Sequence, residues 1–323
     1  MQPLVAAIDA IDRSRATLGA LGAVLQPLLL VCAAALFVCA LVPTLRPWLR
    51  RALAVAAGVL GAGEIALMWF HWRLYGAAAV VDPFSGLVTG HLAVPPWVES
   101  EKLYVWALIL AVLALAARRH GDELRPWLAV IVAALVAGAV LWGHPFTDPL
   151  PDALGQYRGY VSGVLSGDPS AAAAAFQGME GARRFYYNTW YMWLHPPLLF
   201  FSYGAFVASF AAIVLMIRHR HATYESTAYR WARLGYLPLT LGMLVGFPWA
   251  ILAWSGESWW WSGKVNMSIM MWLLYTAYLH ARLYLRRRGM WKVVAALAVL
   301  SFVALLLTYL TTYVVPGAHS VAG

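Results

Sequence analysis

Residues 254–280 read WSGESWWWSGKVNMSIMMWLLYTAYLH, and this stretch shows in short form the pattern of the whole chain. It begins where one apolar run ends, crosses a short polar loop with three consecutive tryptophans, and enters a second apolar run that closes on His280. Tryptophan is common at membrane surfaces because its ring is apolar while its N–H group needs a polar partner. Anchoring at a membrane surface explains one or two tryptophans here. The four at 254, 259, 260 and 261 indicate an aromatic surface between two membrane helices.

The composition of the chain is that of a polytopic membrane protein. Its 323 residues are 62% hydrophobic and 11% charged, with a mean hydropathy of +0.68, whereas ordinary soluble domains are far less apolar. The net charge is +9, but the basic residues recur in short loops, which argues against nucleic-acid binding. Cys32 and Cys39 share the first apolar run and no Cys-x-x-Cys-His is present, so neither a disulfide framework nor covalent c-type haem is expected.

Eight apolar runs are long enough to cross a bilayer, which takes roughly 20 helical residues. Backbone groups in lipid must be hydrogen-bonded internally, so these runs are predicted to be helices. The fold class is therefore an all-α polytopic membrane bundle of about eight transmembrane helices, forming one integral membrane domain over 1–323, with no sheet of consequence. Residues 1–25 are predicted to form an interfacial helix. The predicted spans are 27–45, 52–73, 103–117, 127–143, 195–217, 234–254, 265–285 and 292–315.

Loop charges orient the predicted spans. Most Lys and Arg residues lie in the first, third, fifth and seventh connections, which share one side if there are eight spans. Positive residues are enriched in cytoplasmic loops, so both termini and the tryptophan-rich loop 254–265 are predicted to lie outside a cell (inner) membrane. The basic residues are Arg46, Arg50, Arg51, Arg118, Arg119, Arg125, Arg218, Arg220, Arg230, Arg233, Arg282, Arg286, Arg287, Arg288 and Lys292.

A flat aromatic surface suits a large planar apolar ligand, and haem is the candidate if axial ligands are available. His195 begins the fifth run in WLHPPLLFFSY, where the two prolines fit a first helical turn. His319 follows the eighth run on the same outer side. These histidines could ligate one haem whose face rests on Trp254, Trp259, Trp260 and Trp261. The alternative is two unrelated histidines at the membrane surface.

Other polar residues allow two interpretations each. His280, at the cytoplasmic end of the seventh run, could bind a b haem or act as a capping cation beside Arg282. A b haem there needs a second ligand, from His120, His219 or a partner subunit. The outer pair Arg183 and Arg184 could clamp haem propionates or be solvated.

Acidic residues and one histidine in the N-terminal half are less informative. His71 and Glu64 share the second run and either could line a cavity. Glu99, Glu101 and Lys102 precede the third run, where interfacial charges are expected rather than catalytic ones.

Over residues 97–323 the chain resembles the haem-handling membrane proteins of cytochrome c assembly, the CcmF/CcsA/CcmC family with its tryptophan-rich WWD loop. Three stretches carry the resemblance: HPPLLFFSYGAF at 195–206, WWWSGKVNMSIMMW at 259–272 and GAHS at 317–320. The resemblance implies that His195 and His319 are outer haem ligands and that His280 is the membrane-embedded b-haem ligand. The family loop reads Trp-Asp-Pro followed shortly by Glu. Here Ser262 and Gly263 follow Trp261, and Val265 stands at the Glu position.

The resemblance implies a membrane protein of cytochrome c biogenesis that binds haem b at the outer face for delivery or attachment to apocytochrome c. It could act as a cytochrome c haem lyase or synthase component together with other membrane subunits. Because the WWD loop departs from the family pattern, we expect the attachment of haem to apocytochrome to be affected more than the binding of haem. The alternative is a b-haem subunit that passes electrons between quinol and a c-type cytochrome. A haem-free transporter ranks third, since only Glu64 is charged at mid-membrane.

Overall fold

The computed structural model describes residues 2–117, 121–254, 259–285 and 290–315. The described residues form ten α-helices and one two-stranded β-hairpin, so the all-α class is confirmed. The elements are α1 Gln2–Leu41, α2 Leu49–Ala77, β1 Ala79–Val81, β2 Val88–His91, α3 Lys102–Ala116, α4 Gly121–Gly138, α5 Pro151–Leu165, α6 Pro169–Gly181, α7 Trp190–His219, α8 Ala222–Ala253, α9 Gly263–Ala281 and α10 Met290–Val314.

Each of the eight predicted spans falls on a different helix, α1 to α4 and α7 to α10. In the described part of the chain, six helical segments are long and apolar enough to cross a membrane: Leu4–Leu41, Pro43–Ala77, Gly121–Gly143, Trp190–His219, Thr223–Ala253 and Met290–Thr311. The multi-pass membrane class is thereby confirmed. The count of eight and the outer position of the termini stay predictions, because α3, with 15 residues, and α9, with 19, are not among the six.

Two segments differ in detail from their sequence prediction. Residues 2–41 form one helix of 40 residues, about 60 Å long at 1.5 Å per residue, with no break between the predicted interfacial part and the first span. The connection over 144–194, between the fourth and fifth predicted spans, contains α5 and α6, two helices for which the sequence analysis makes no prediction. Asp168 caps α6 by accepting from the Ser170 N–H at 2.9 Å, and the alanines that follow are strong helix formers.

One compact unit, termed the first unit, comprises residues 1–112 and 129–193. Helices α1 and α2 pack along each other, and the Tyr104 hydroxyl of α3 donates to the Leu60 carbonyl of α2 at 2.8 Å. Gly63 permits this approach, because a Cβ there would overlap the Tyr104 hydroxyl. The hydroxyls of Tyr157 and Tyr160 hydrogen-bond the backbone of β1, which fixes the hairpin against α5.

The second unit comprises residues 113–128 and the described part of 194–323. Helix α7 packs against both α9 and α10. Phe206 stacks on Tyr275 of α9 with ring centroids 3.6 Å apart. Phe210 stacks on Phe302 of α10 at 3.9 Å. Aromatic stacking adds to the burial of apolar area, so α7 is held as a fixed support for the side chains near its N-terminal end.

Candidate functional site

His195 lies in the second turn of α7, because the helix begins at Trp190. The prediction that His195 begins the helix, with prolines in the first turn, is therefore wrong. Pro196 has no N–H to bond the Met192 carbonyl one turn earlier. Within the first unit, that carbonyl instead accepts from the Trp97 indole N–H at 2.9 Å. The indole thus satisfies a group that the proline leaves open, and the helix extends beyond the predicted start.

The orientation of the His195 ring is set by α8. Nδ1 lies 2.6 Å from the Gly242 carbonyl oxygen, which can only accept, so Nδ1 carries the proton. In a neutral ring Nε2 then carries a lone pair, and a nitrogen in this state can bind a metal ion. Gly246 lies one turn further along α8, and a Cβ there would be 2.6 Å from the His195 Cε1 atom. The His195 ring therefore occupies space that any larger residue at position 246 would fill.

Aromatic rings continue from His195 in the second unit. The His195 ring centroid is 5.9 Å from that of Trp249, which is 4.9 Å from that of Trp254. Trp259 and Trp260 stack at 3.8 Å, and the Phe247 ring lies within 6.4 Å of both. Three of the four predicted tryptophans thus belong to ring contacts near the ends of α8 and α9, whereas Trp261 is 81% exposed.

Sequence reasoning missed the α8 part of this site, which comprises Gly242, Gly246, Phe247 and Trp249. A signal was present, since glycines four residues apart are typical of closely packed membrane helices. The spacing of Gly242 and Gly246 indicates that another helix can pack closely against α8. It does not indicate that a histidine of that helix fills the space beside the two glycines.

The loop that departs from the family pattern has a structural role at the start of α9. Ser262 is the N-cap of α9, and its hydroxyl accepts from the Val265 N–H at 3.3 Å. Serine is a favoured N-cap because its oxygen satisfies a backbone donor left open at the helix start. Lys264 follows in the first turn, and its ammonium group acts electrostatically on the His195 ring. Lys264 is a second site residue that sequence reasoning missed.

His280 lies in the last turn of α9 and is exposed. Its Nδ1 is 2.8 Å from the Thr276 carbonyl oxygen, so Nδ1 donates and Nε2 is the nitrogen left for a ligand. Arg282 is engaged elsewhere, because its Nε donates to Glu225 at 3.0 Å and its guanidinium lies 4.0 Å from the centroid of the Tyr229 ring. The geometry is compatible both with ligation and with a local helix-end contact.

Arg183 and Arg184 lie in the first unit and share one acidic partner. Both guanidinium groups contact Glu180 Oε1, Arg183 at 2.8 Å and Arg184 at 2.5 Å. The hydrogen bond from Arg183 holds the pKa of Glu180 below its ordinary value, so Glu180 is ionised at neutral pH. One of the two positive charges is therefore balanced internally, and one remains for an outside anion. A clamp on haem propionates stays a prediction.

Glu101 is wholly buried, so the expectation that it is an interfacial charge is wrong. Its carboxylate lies against His71 of α2, with Oε2 at 2.8 Å from Nε2. Glu99 bonds the backbone N–H groups of Asp152 and Ala153 at the start of α5, and burial raises the pKa of Glu99 to about 7. These contacts depend on loops that fold back over α2, which the sequence pattern does not reveal.

Several predicted site residues lie outside the described residues. These are His319 as second outer ligand, His120 as partner of His280, and the cytoplasmic arginines at 118, 119 and 286–288. His219 is described and exposed, with its ring 5.6 Å from that of Tyr224. Over the described ranges no group of three or more His, Cys, Asp or Glu side chains could hold a metal ion. Haem needs only one or two axial side chains, so the haem prediction does not depend on such a group.

Comparison with known proteins finds one family over most of the chain. The family model described as "Cytochrome C assembly protein" matches residues 94–319. The probable cytochrome c-type biogenesis protein NrfE of Escherichia coli K12 is 30% identical over 228 residues, which cover 66% of this chain and 36% of NrfE. The cytochrome c biogenesis protein CcsA of Gloeobacter violaceus is 36% identical over 99 residues, 30% of this chain and 28% of CcsA.

A third relative matches a shorter stretch. The cytochrome c-type biogenesis protein CcmF of Escherichia coli K12 is 36% identical over 117 residues, 35% of this chain and 18% of CcmF. The chain therefore spans about a third or less of the length of these three curated relatives.

Proposed function

The chain belongs to the cytochrome c assembly protein family, and from this premise we propose that it binds haem b at the outer membrane face and presents it to apocytochrome c. His195 and His319 would be the axial ligands. The single observation that carries the proposal is the His195 ring, whose Nδ1 bonds the Gly242 carbonyl at 2.6 Å while Nε2 is left for iron. A ligand histidine commonly donates its other nitrogen to a carbonyl in this way.

The surroundings of His195 fit a porphyrin. The exposed ring of Trp260 and the half-buried ring of Trp254 offer apolar faces, and the buried rings of Trp249 and Trp259 support them in the same unit. Burial of apolar area contributes about 25 cal/mol per Å², so even part of a porphyrin face would add several kcal/mol before ordering costs. Lys264 supplies a positive charge near His195 that would attract a haem propionate. Arg183 and Arg184 together keep one unbalanced positive charge for the same purpose.

When bound, haem supplies the iron and the reactive edge needed for attachment to a thiol pair. The residues of this chain bind and orient it. Ser262 caps α9 where the family pattern has an acid, and Val265 replaces the usual Glu. The only acidic residue left in the loop, Glu257, lies outside the described residues. We therefore infer that the chain holds and presents haem, with attachment completed together with other membrane subunits of the assembly machinery.

The second candidate function is electron transfer, in which the chain carries b haem between quinol and a c-type cytochrome. The loss of acidic loop residues favours it. Co-expression with an apocytochrome, followed by a stain for covalent haem, separates the two. We expect covalent haem on the cytochrome only when this chain is present with its partner subunits. A chain that contains haem but never increases covalent haem would favour electron transfer.

We propose that the tryptophan-rich loop faces the outside of a cell (inner) membrane, because the arginine-rich connections are predicted to lie on the opposite, cytoplasmic side. With Cys32 and Cys39 replaced by alanine, a cysteine at Trp261 should react with a thiol reagent that cannot cross the membrane. A cysteine at Arg218 should react only with a permeant reagent. The reverse pattern of labelling would contradict the orientation, and equal labelling after membrane disruption is the control.

His280 is proposed to ligate a b haem near the cytoplasmic end of α9. The exposed ring leaves Nε2 for iron, since Nδ1 bonds the Thr276 carbonyl. His280→Ala should lower haem content and remove the corresponding part of the absorption spectrum, because one axial ligand is lost. His219→Ala, at another exposed cytoplasmic histidine, tests whether His219 is the second ligand. Unchanged haem content and spectrum in His280→Ala would show that His280 is only a helix-end contact.

A further inference from the structure

A buried ionisable group lies in the first unit, and the proposed haem function does not use it. His71 of α2 is 7% exposed and Glu101, just before α3, is 0% exposed. His71 Nδ1 is 2.7 Å from the Val94 carbonyl oxygen, and Nε2 is 2.8 and 3.0 Å from the two Glu101 carboxyl oxygens. Both ring nitrogens are thus engaged by oxygen, so this histidine is not placed to ligate iron.

The contacts of His71 and Glu101 require two protons, which is one more than a neutral imidazole and an ionised carboxylate carry together. The Val94 carbonyl can only accept, so Nδ1 carries a hydrogen. The contact of Nε2 with Glu101 then needs a second hydrogen, either on Nε2 or on the carboxyl group. A neutral ring facing an ionised carboxylate would bring two acceptors together in a buried place, which is costly. One proton is therefore shared between His71 and Glu101.

Glu64 lies two helical turns before His71 on the same face of α2. Its Oε2 atom is buried and has no hydrogen-bond partner. Glu64 acts electrostatically on the nearby Tyr104 hydroxyl, but that hydroxyl donates to the Leu60 carbonyl. The charged groups that act on Glu64 are Glu101 and His71. An ionised carboxylate without a partner is expensive in a membrane helix and takes up a proton instead.

We propose that Glu64, His71 and Glu101 form a proton-binding site in the membrane-spanning part of the first unit. At mildly acidic pH it holds one proton between His71 and Glu101 and a second on Glu64. The Glu64 proton is the exchangeable one, because the other proton is held between two hydrogen-bonded partners, whereas the Glu64 Oε2 atom has no hydrogen-bond partner. Glu64 and His71 lie outside residues 94–319, which match the family model, whereas Glu101 lies inside them. Two of the three site residues therefore belong to the part of this chain that the family match does not cover.

Infrared spectroscopy of the purified, haem-free full chain tests this site without reference to haem. The spectra are recorded at about pH 6, where the Glu99 carboxyl, whose pKa is about 7, contributes equally to both proteins and cancels in a difference spectrum. The difference spectrum of wild type minus Glu64→Gln should contain the C=O stretch of a protonated carboxyl group, and the band should shift in D₂O. Glu180→Gln is the matched control. Since Glu180 pairs with two arginines, its difference spectrum should contain carboxylate bands only.

The shared proton is tested with Glu101→Gln. Wild type minus this variant should contain either an imidazolium band or a protonated carboxyl band, since the proton resides on one partner. If Glu64→Gln does not fold, a pH titration of Glu99→Gln decides, because the Glu64 carboxyl band should be present at about pH 6 and disappear reversibly at higher pH. Carboxylate bands alone for Glu64, or a neutral imidazole beside an ionised Glu101, would overturn the proposal whatever the haem content of the chain.

Discussion

Replacing His195 by glycine should lower the affinity of the purified chain for haem by at least about tenfold, which corresponds to ~1.4 kcal/mol. The variant removes the ring whose Nδ1 is held by the Gly242 carbonyl at 2.6 Å, and with it one Fe–N bond. The aromatic faces of Trp254 and Trp260 would remain, so binding should be weakened rather than abolished. Titration of haem into detergent-solubilised protein, followed by absorbance, measures the change.

Two further variants sharpen this prediction. Gly246→Ala keeps the ligand but places a Cβ 2.6 Å from the ring, so it should alter the haem spectrum with a smaller loss of affinity. His91→Gly removes a histidine of β2 whose ring lies 5.5 Å from that of Tyr75 in the first unit, and haem binding should not change. Full haem occupancy with an unaltered spectrum in His195→Gly would show that the tryptophans only anchor the chain at the membrane surface.

The second large effect is expected on stability. His71→Ala should lower the free energy of unfolding by about 3–5 kcal/mol, because it leaves the buried Glu101 carboxylate without its partner. Urea titration in mild detergent, monitored by circular dichroism, measures the loss. Since Glu101 is 0% exposed, water cannot replace the imidazole without opening the loop around Val94.

The double variant His71→Leu with Glu101→Leu is the matched control. It removes both charges and fills much of the space, and replacement of a buried ion pair by apolar residues is often neutral. The double variant should therefore be more stable than His71→Ala. A His71→Ala protein as stable as wild type would contradict the contacts described here. In that case Glu101 would be solvated.

Hydropathy and residue spacing were sufficient to predict the helical membrane class and the approximate position of eight helices. They were also sufficient for the aromatic cluster, because Trp254, Trp259 and Trp260 flank one short loop. The start of α7 was missed, since a proline in the second turn is unfavourable unless another donor bonds the open carbonyl. That donor, the Trp97 indole, is distant in sequence.

The pairing of His71 with Glu101 was missed for a similar physical reason. The two residues are 30 positions apart and meet because the chain between them folds back along α2. Local periodicity carries no information about such a return. Ser262 shows the opposite case, because a serine followed by a helical run is a recognisable N-cap in the sequence.

Imidazole rescue of His195→Gly tests the central claim most directly. Glycine leaves a space beside Gly246 where free imidazole could occupy the place of the lost ring. If His195 Nε2 ligates haem iron, added imidazole should restore haem occupancy and the wild-type absorption spectrum in a saturable manner. It should have no effect on wild type or on His91→Gly. Haem binding that is unaffected by the substitution, or a loss that imidazole does not reverse in a folded variant, would contradict ligation by His195.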